Sequence, residues 1–224
     1  MLVVVTGGCA AAPTPPDTAL SPAVGVPAAL GTPGQPGTPG HCSEIDVVFA
    51  RGTNQPPGFG RVGDAFFDAL LPRLPGRTVS RYAVNYPADS QQVFGIGTND
   101  VIQHVTQVGT SCPQTRFVLG GYSQGASVVS AAIGVPTPGM VTDALPAWSG
   151  SRVAAVVVFG SPLGAGGRSI DSVPSPFRGQ SAEFCTMGDT VCGGRGPFPG
   201  THHSYPTSGA TEQAARFATQ RLSP

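Results

Sequence analysis

The chain has 224 residues, with twelve basic and twelve acidic side chains that cancel to zero formal charge, and every basic residue is arginine. Without lysine there is no P-loop and no Schiff-base chemistry, and without a basic stripe nothing collects the phosphates of a nucleic acid. No apolar run approaches the roughly twenty residues that span a bilayer, and 40% hydrophobic with only 11% charged residues suits one compact domain with many irregular turns.

At the amino terminus, Met1-Leu2-Val3-Val4-Val5 is an apolar run with no basic residue before it. A secretory signal has a basic start and about 7–15 apolar residues, so residues 1–9 are expected to be the remnant of a longer export signal. Thr6-Gly7-Gly8-Cys9 resembles the small-residue approach to a lipid-modified cysteine, and removal of Cys9 with the signal is the alternative. Residues 10–40 consist mostly of Pro, Gly, Ala and Thr, with Asp17 as their only charge. Such a segment buries too little to offset its ordering entropy, so it is expected to be an extended linker ahead of a folded domain at 41–224.

From Cys42 onward the texture changes. Ile45–Ala50 is a β-rich run ending at Arg51-Gly52-Thr53. Val62, Phe66, Ala69, Leu70 and Leu74 recur at helical spacing, with Pro72 ending that helix early. Val79 to Tyr86 reads as a second strand stopped by Pro87, and Val101, Val105 and Val108 share a helical face. Phe117-Val118-Leu119 is a short strand running into glycines, followed by a helix over Ala126 to Ile133. Val153 to Phe159 is all apolar, as in a strand buried on both faces, and Ala182 to Cys185 is a weaker fifth strand. Ala214, Phe217, Ala218 and Leu222 make a final amphipathic helix with Glu212 in its first turn. Strands alternating with helices predict an α/β fold, a central parallel sheet of about five strands with helices on both faces.

Four of the five cysteines, Cys42, Cys112, Cys185 and Cys192, lie in the foldable part and permit three pairings. Sequence order favours Cys42–Cys112 and Cys185–Cys192, with four reduced, buried thiols as the alternative. No Cys/His spacing suggests a metal. Disulfides would imply an oxidising compartment, outside the cell or at its envelope.

The chemistry sits in Gly121-Tyr122-Ser123-Gln124-Gly125, where a buried strand turns into a helix. This is the Gly-x-Ser-x-Gly elbow, which crowds the backbone and raises a serine above the sheet at a helix N-terminus. A serine hydroxyl needs a base within hydrogen-bond reach. His41 precedes the first strand and His104 falls within a helix, as a structural histidine would. His202 and His203 follow the last strand in a Gly/Pro-rich loop. The order Ser, acid, His leaves Asp143, Asp171, Glu183 and Asp189 as acids. Asp189 is favoured because the short Cys185–Cys192 bridge would pin its loop, although a turn aspartate capping local N–H groups is common after glycine.

From Cys42 to the carboxyl terminus the chain resembles the cutinase-like serine esterases, lidless α/β-hydrolases, especially exported mycobacterial ones. The matching pieces are Ala50-Arg51-Gly52-Thr53, Tyr82 to Pro87, Gly120 to Gly125, Gly188 to Cys192, and His202-His203-Ser204-Tyr205. The resemblance implies the same two disulfides and places the base at His202, because the family's His-x-x-Tyr falls on His202 and Tyr205. It implies an oxyanion hole from Thr53 and from the N–H of Gln124. His203 departs from the family, where an apolar residue is expected, so a more polar acyl wall is expected here.

The expected activity is hydrolysis of carboxylic esters of short to medium acyl chains, without metal or organic cofactor, by a monomer. The expected partner is a small-molecule, lipid or polyester ester, with association at a cell envelope or membrane surface. Phospholipids, thioesters and acetylated polysaccharides are alternative substrates, and a non-catalytic envelope protein is the rival from another class. Residues 88–97 are expected to form one lip of the cleft and Pro197-Phe198-Pro199 the other.

Overall fold

The computed structural model describes residues 1–3, 42–137, 143–171 and 175–223. The expected export-signal segment beyond Val3, including Cys9, the expected linker at 10–40 and His41 lie outside the described residues.

Among the described residues five strands form one parallel sheet: β1 (Ile45–Ala50), β2 (Val79–Ala83), β3 (Arg116–Tyr122), β4 (Val153–Phe159) and β5 (Ser181–Phe184). Their spatial order is β2-β1-β3-β4-β5. Parallel neighbours need long crossovers, and four helices, α1 (Gly60–Leu70), α2 (Phe94–Ser111), α3 (Gln124–Ala132) and α4 (Ala210–Leu222), cover the two faces. The pleat sorts side chains between two cores. Val47, Phe49, Val118, Val157 and Phe159 face α1 and α4, while Val48, Ala50, Leu119, Val156 and Val158 face α2 and α3. All seven residues of β4 are buried, which is why that run carries no polar alternation.

The structure departs from the sequence expectation at the end of β2, the end of β3 and the start of α2, each for a local reason, while α1 ends early as expected. Strand β2 ends at Ala83, three residues early. Past it the Arg51 guanidinium takes the carbonyls of Val84, Tyr86 and Pro87 at 3.4, 2.6 and 3.1 Å, so they leave the ladder. Strand β3 continues through Gly120, where the ring of Phe49 fills the space a side chain would need. Pro72 ends α1 at Leu70, and a short 3-10 turn, Leu71–Arg73, keeps Leu74 in the core. Helix α2 begins at Phe94, so the expected lip at 88–97 is a loop joined to the first turn of a helix.

Both expected disulfides are present, Cys42–Cys112 and Cys185–Cys192. The first ties the segment before β1 to the end of α2. The second closes a loop between residues only seven apart, directly after β5.

Glu183 on β5 accepts the N–H of Ile170 at 3.2 Å. Burial pushes its carboxyl from an ordinary 4.5 up to about 7, partly offset by that hydrogen bond. The folded chain therefore keeps a proton that the unfolded chain releases, so stability present below about pH 4.5 is lost as pH rises through about 7. Glu183→Gln keeps an acceptor for Ile170 and removes the charge. Thermal melts at pH 4.5 and 7.5 are expected to show the wild type losing on the order of 5 °C more than the variant. Parallel pH profiles for the two proteins would refute this.

Candidate active site

The elbow is built by backbone proximity. Ser123 sits between β3 and α3 with φ 55° and ψ −115°, a conformation that a non-glycine residue holds only when its surroundings over-determine it. Those surroundings are identifiable. Its N–H donates to the Phe159 carbonyl at the end of β4 (2.9 Å), and its own carbonyl accepts from Ala126 N–H (2.9 Å). Gly121 and Gly125 meet backbone on the inner side of the bend: a Cβ on Gly121 would lie 2.3 Å from the Gly125 carbonyl oxygen.

Ser123, His202 and Asp189 form one hydrogen-bonded line. His202 Nε2 is 2.9 Å from Ser123 Oγ, and His202 Nδ1 is 2.8 Å from Asp189 Oδ2. The ring is part-exposed (20%) while Asp189 is fully buried. The carboxylate's other oxygen, Oδ1, accepts the Val191 N–H at 2.9 Å, inside the loop that the Cys185–Cys192 bridge closes. Asp189 is thus both a turn cap and the partner of the imidazole; the two readings of the sequence describe one residue.

The remaining candidates are elsewhere. His104 pairs with buried Asp46 at 2.6 Å and stacks on Tyr82 at 3.5 Å. His203 is exposed, and its Nδ1 lies 3.4 Å from the Tyr122 hydroxyl, which itself donates to the His202 carbonyl at 2.8 Å. Burial, with the Asp189 charge adding to it and Arg61 opposing, pushes the Tyr122 phenol up to about 12. Asp171 accepts Gly179 N–H, Glu183 accepts Ile170 N–H, and Asp143 is exposed.

Thr53 lies in the turn after β1, beside the elbow. A Cβ on Gly125 would meet the Ala50 carbonyl oxygen at 2.0 Å, and one on Gly52 the Tyr122 ring at 2.6 Å, so this turn and the elbow are in direct backbone contact. Arg51 holds the turn rigid: buried, it donates to the Gln55 carbonyl (2.9 Å) as well as to the 84–87 carbonyls, while Asn54 N–H donates to Ala88 (2.6 Å). Among the described residues no acceptor takes the backbone N–H of Thr53 or of Gln124. Two donors are therefore left free beside the serine, next to a helix N-terminus where negative charge is favoured.

A groove of about 270 Å³, lined among others by Gln92, Phe94, Ser127, Leu163 and Arg168, opens one helical turn beyond Ser123. Val93 and Ile96, on either side of Phe94 and Gly95 in the chain, are each 50% exposed, and Met187, two residues before Asp189, is 59% exposed. Phe198, expected at the second lip, is half-buried between two exposed prolines. It packs against the core and on Phe184 (centroids 6.1 Å), and its carbonyl braces Met187 N–H at 2.8 Å.

Two further residues belong to the site. Gly160, after β4, has φ 57°, and a Cβ there would lie 2.9 Å from both Asp189 Oδ2 and His202 Cε1; its place right after an all-apolar strand was the signal. Tyr205, fully buried, donates its hydroxyl to Asp189 Oδ2 at 2.5 Å. Among the described residues no group of three or more His, Cys, Asp or Glu side chains is arranged to hold a metal.

The family model for Cutinase matches residues 41–222. A cutinase of Kineococcus radiotolerans is 48% identical over 180 residues, 79% of this chain; the chain spans 61% of that protein's length. Carboxylesterase Culp1 of Mycobacterium tuberculosis is 41% identical over 189 residues, covering 81% of this chain and 82% of that protein. Among solved structures, a Trichoderma reesei cutinase in complex with a phosphonate inhibitor superposes with a TM-score of 0.64 at 31% identity, over 82% of this chain and 78% of that one.

Proposed function

This chain belongs to the cutinase family of ester-hydrolysing serine hydrolases, and on that premise we propose a secreted carboxylesterase that uses Ser123, His202 and Asp189 as a catalytic triad. The observation that carries the proposal is the unbroken line from Ser123 Oγ through His202 to a fully buried Asp189, with contacts of 2.9 and 2.8 Å.

His202 Nε2 takes the hydroxyl proton as Ser123 Oγ attacks the ester carbonyl. The oxygen that becomes negative is stabilised by the N–H groups of Thr53 and Gln124, donors that no group among the described residues competes for. The tetrahedral species collapses to an acyl-enzyme as His202 returns the proton to the departing alcohol. Water then attacks the acyl carbon with His202 again as base, releasing the acid and restoring Ser123. Asp189 fixes the imidazole with Nδ1 protonated, so that Nε2 faces the serine. The steps use side chains, two backbone N–H groups and water.

The largely apolar walls of the groove beside Ser127 support acyl chains of short to medium length. The exposed Val93, Ile96 and Met187 support work at a lipid or polyester surface. Two disulfides support an oxidising compartment and hence export. A fluorophosphonate probe tests the proposal against a non-catalytic envelope protein. Stoichiometric labelling of Ser123, lost in His202→Ala, is expected; an unlabelled protein with intact disulfides would sink it. Nitrophenyl esters of increasing chain length then define the acyl preference.

A further inference from the structure

Asp189 receives more donors than a two-bond triad needs. Oδ1 takes the Val191 N–H at 2.9 Å, while Oδ2 takes both His202 Nδ1 at 2.8 Å and the Tyr205 hydroxyl at 2.5 Å. The direction of that third bond is set by its surroundings. The Tyr205 oxygen accepts the Thr186 N–H at 3.4 Å. Its other neighbour, Cys192 Sγ at 3.4 Å, is disulfide-bonded, carries no hydrogen, and is a weak acceptor. The phenolic proton therefore goes to the carboxylate. Burial, with the hydrogen bond and charge of Asp189 acting in the same sense, pushes the Tyr205 phenol up, so it remains a donor throughout the working range.

We propose that Tyr205 is a positioning residue for this esterase: its hydroxyl holds Oδ2 of Asp189 on the line to His202 Nδ1 and moderates the carboxylate's charge. The inference rests on the triad reading above. One donor on each oxygen already restrains rotation about the Cβ–Cγ bond of Asp189, and the Tyr205 hydroxyl adds a third restraint. Two donors on Oδ2 and one on Oδ1 leave one orientation. The second donor also withdraws charge from the oxygen that faces the imidazole, so the protonated ring is stabilised less than it would be by an otherwise free carboxylate. His202 is then a better acid in the step that expels the alcohol. The ring of Tyr205 has a separate, structural job, edge-on to Phe159 and Tyr122 at 5.8 and 5.7 Å between centroids, and phenylalanine preserves it. The other titratable or charged groups facing the cluster are Tyr122, His203 beside its hydroxyl, and Arg61, whose charge is felt at Tyr122.

Tyr205→Phe in the full chain, with both disulfides intact and active sites counted by fluorophosphonate, tests this. Turnover is expected to fall about tenfold with KM within twofold, and the acidic limb of the kcat/KM profile to move up by about half to one pH unit. The downfield proton resonance of the His202 Nδ1–H should shift as well. Tyr205→3-fluorotyrosine keeps the ring and strengthens the donor, so it should move the limb the other way; it also answers for any folding defect of the phenylalanine variant. A lower melting temperature in Tyr205→Phe with turnover, limb and resonance all unchanged would overturn the inference. Asp189→Asn separates the two readings. If that variant turns over like wild type, the triad assignment fails; if it is crippled while Tyr205→Phe behaves as wild type, only the role of Tyr205 fails.

Discussion

Ser123→Ala is expected to lower turnover on nitrophenyl butyrate by 10³- to 10⁶-fold while leaving the fold intact. The size follows from what is removed. Without Oγ no acyl-enzyme forms, and the reaction falls back on direct attack by water, with the free N–H groups of Thr53 and Gln124 still able to stabilise an oxyanion. The residual rate therefore measures the oxyanion hole rather than zero. Stability should barely change, because Ala at this position inherits the same backbone, held by Phe159 and Ala126, and loses only one hydrogen bond to a part-exposed ring. Asp189→Asn is expected to be severe but milder, since it leaves the nucleophile in place and disturbs the tautomer of His202. Initial rates on protein purified without wild-type carry-over decide the matter. A Ser123→Ala enzyme retaining more than about a hundredth of wild-type turnover would remove Ser123 from the role of nucleophile.

The sheet was legible in the sequence because each buried strand is a short apolar run between turn residues, and β1 and β4 were readable to the residue. The position of the serine was legible for a different reason: the bend needs small residues at 121 and 125, and only a strand-to-helix junction needs such a bend. Choosing between His202 and His203 was beyond spacing, because adjacent loop residues have no periodicity to separate them; the family resemblance favoured His202, and the structure brings its Nε2 to Ser123. What stayed hidden depends on contacts distant in sequence. The clamp of Arg51 on the carbonyls of residues 84–87 ends β2, yet nothing local to Val84 signals it. Phe198 between its two prolines reads equally as a cleft lip or as a loop anchor, and only the fold shows it seated on Phe184. Tyr205 was visible as part of a pattern, but the hydrogen bond its hydroxyl donates to Asp189 belongs to the folded loop.

The second large effect is expected from a single methyl group. Gly125→Ala places a Cβ 2.0 Å from the carbonyl oxygen of Ala50 and 2.6 Å from that of Arg51, both backbone atoms at the end of β1. No side chain can swing aside to relieve this, so α3 must lift from the sheet by about an ångström. Such overpacking costs about 3 kcal/mol, a fall on the order of 10 °C in melting temperature for a domain of this size. The catalytic cost is separate and larger. Gln124 rides on α3 and Thr53 on the turn after β1, so the same displacement spreads the two proposed oxyanion donors, which must both lie about 3 Å from one oxygen. A misplacement of that size is worth about a hundredfold in turnover, so Gly125→Ala should lose activity even at temperatures where it remains folded. Gly150→Ala is the matched control, because a Cβ there meets no atom within 4 Å. Melting curves and turnover measured on both variants separate the two costs. Wild-type turnover in Gly125→Ala would mean that the elbow and the Thr53 turn do not share the oxyanion between them.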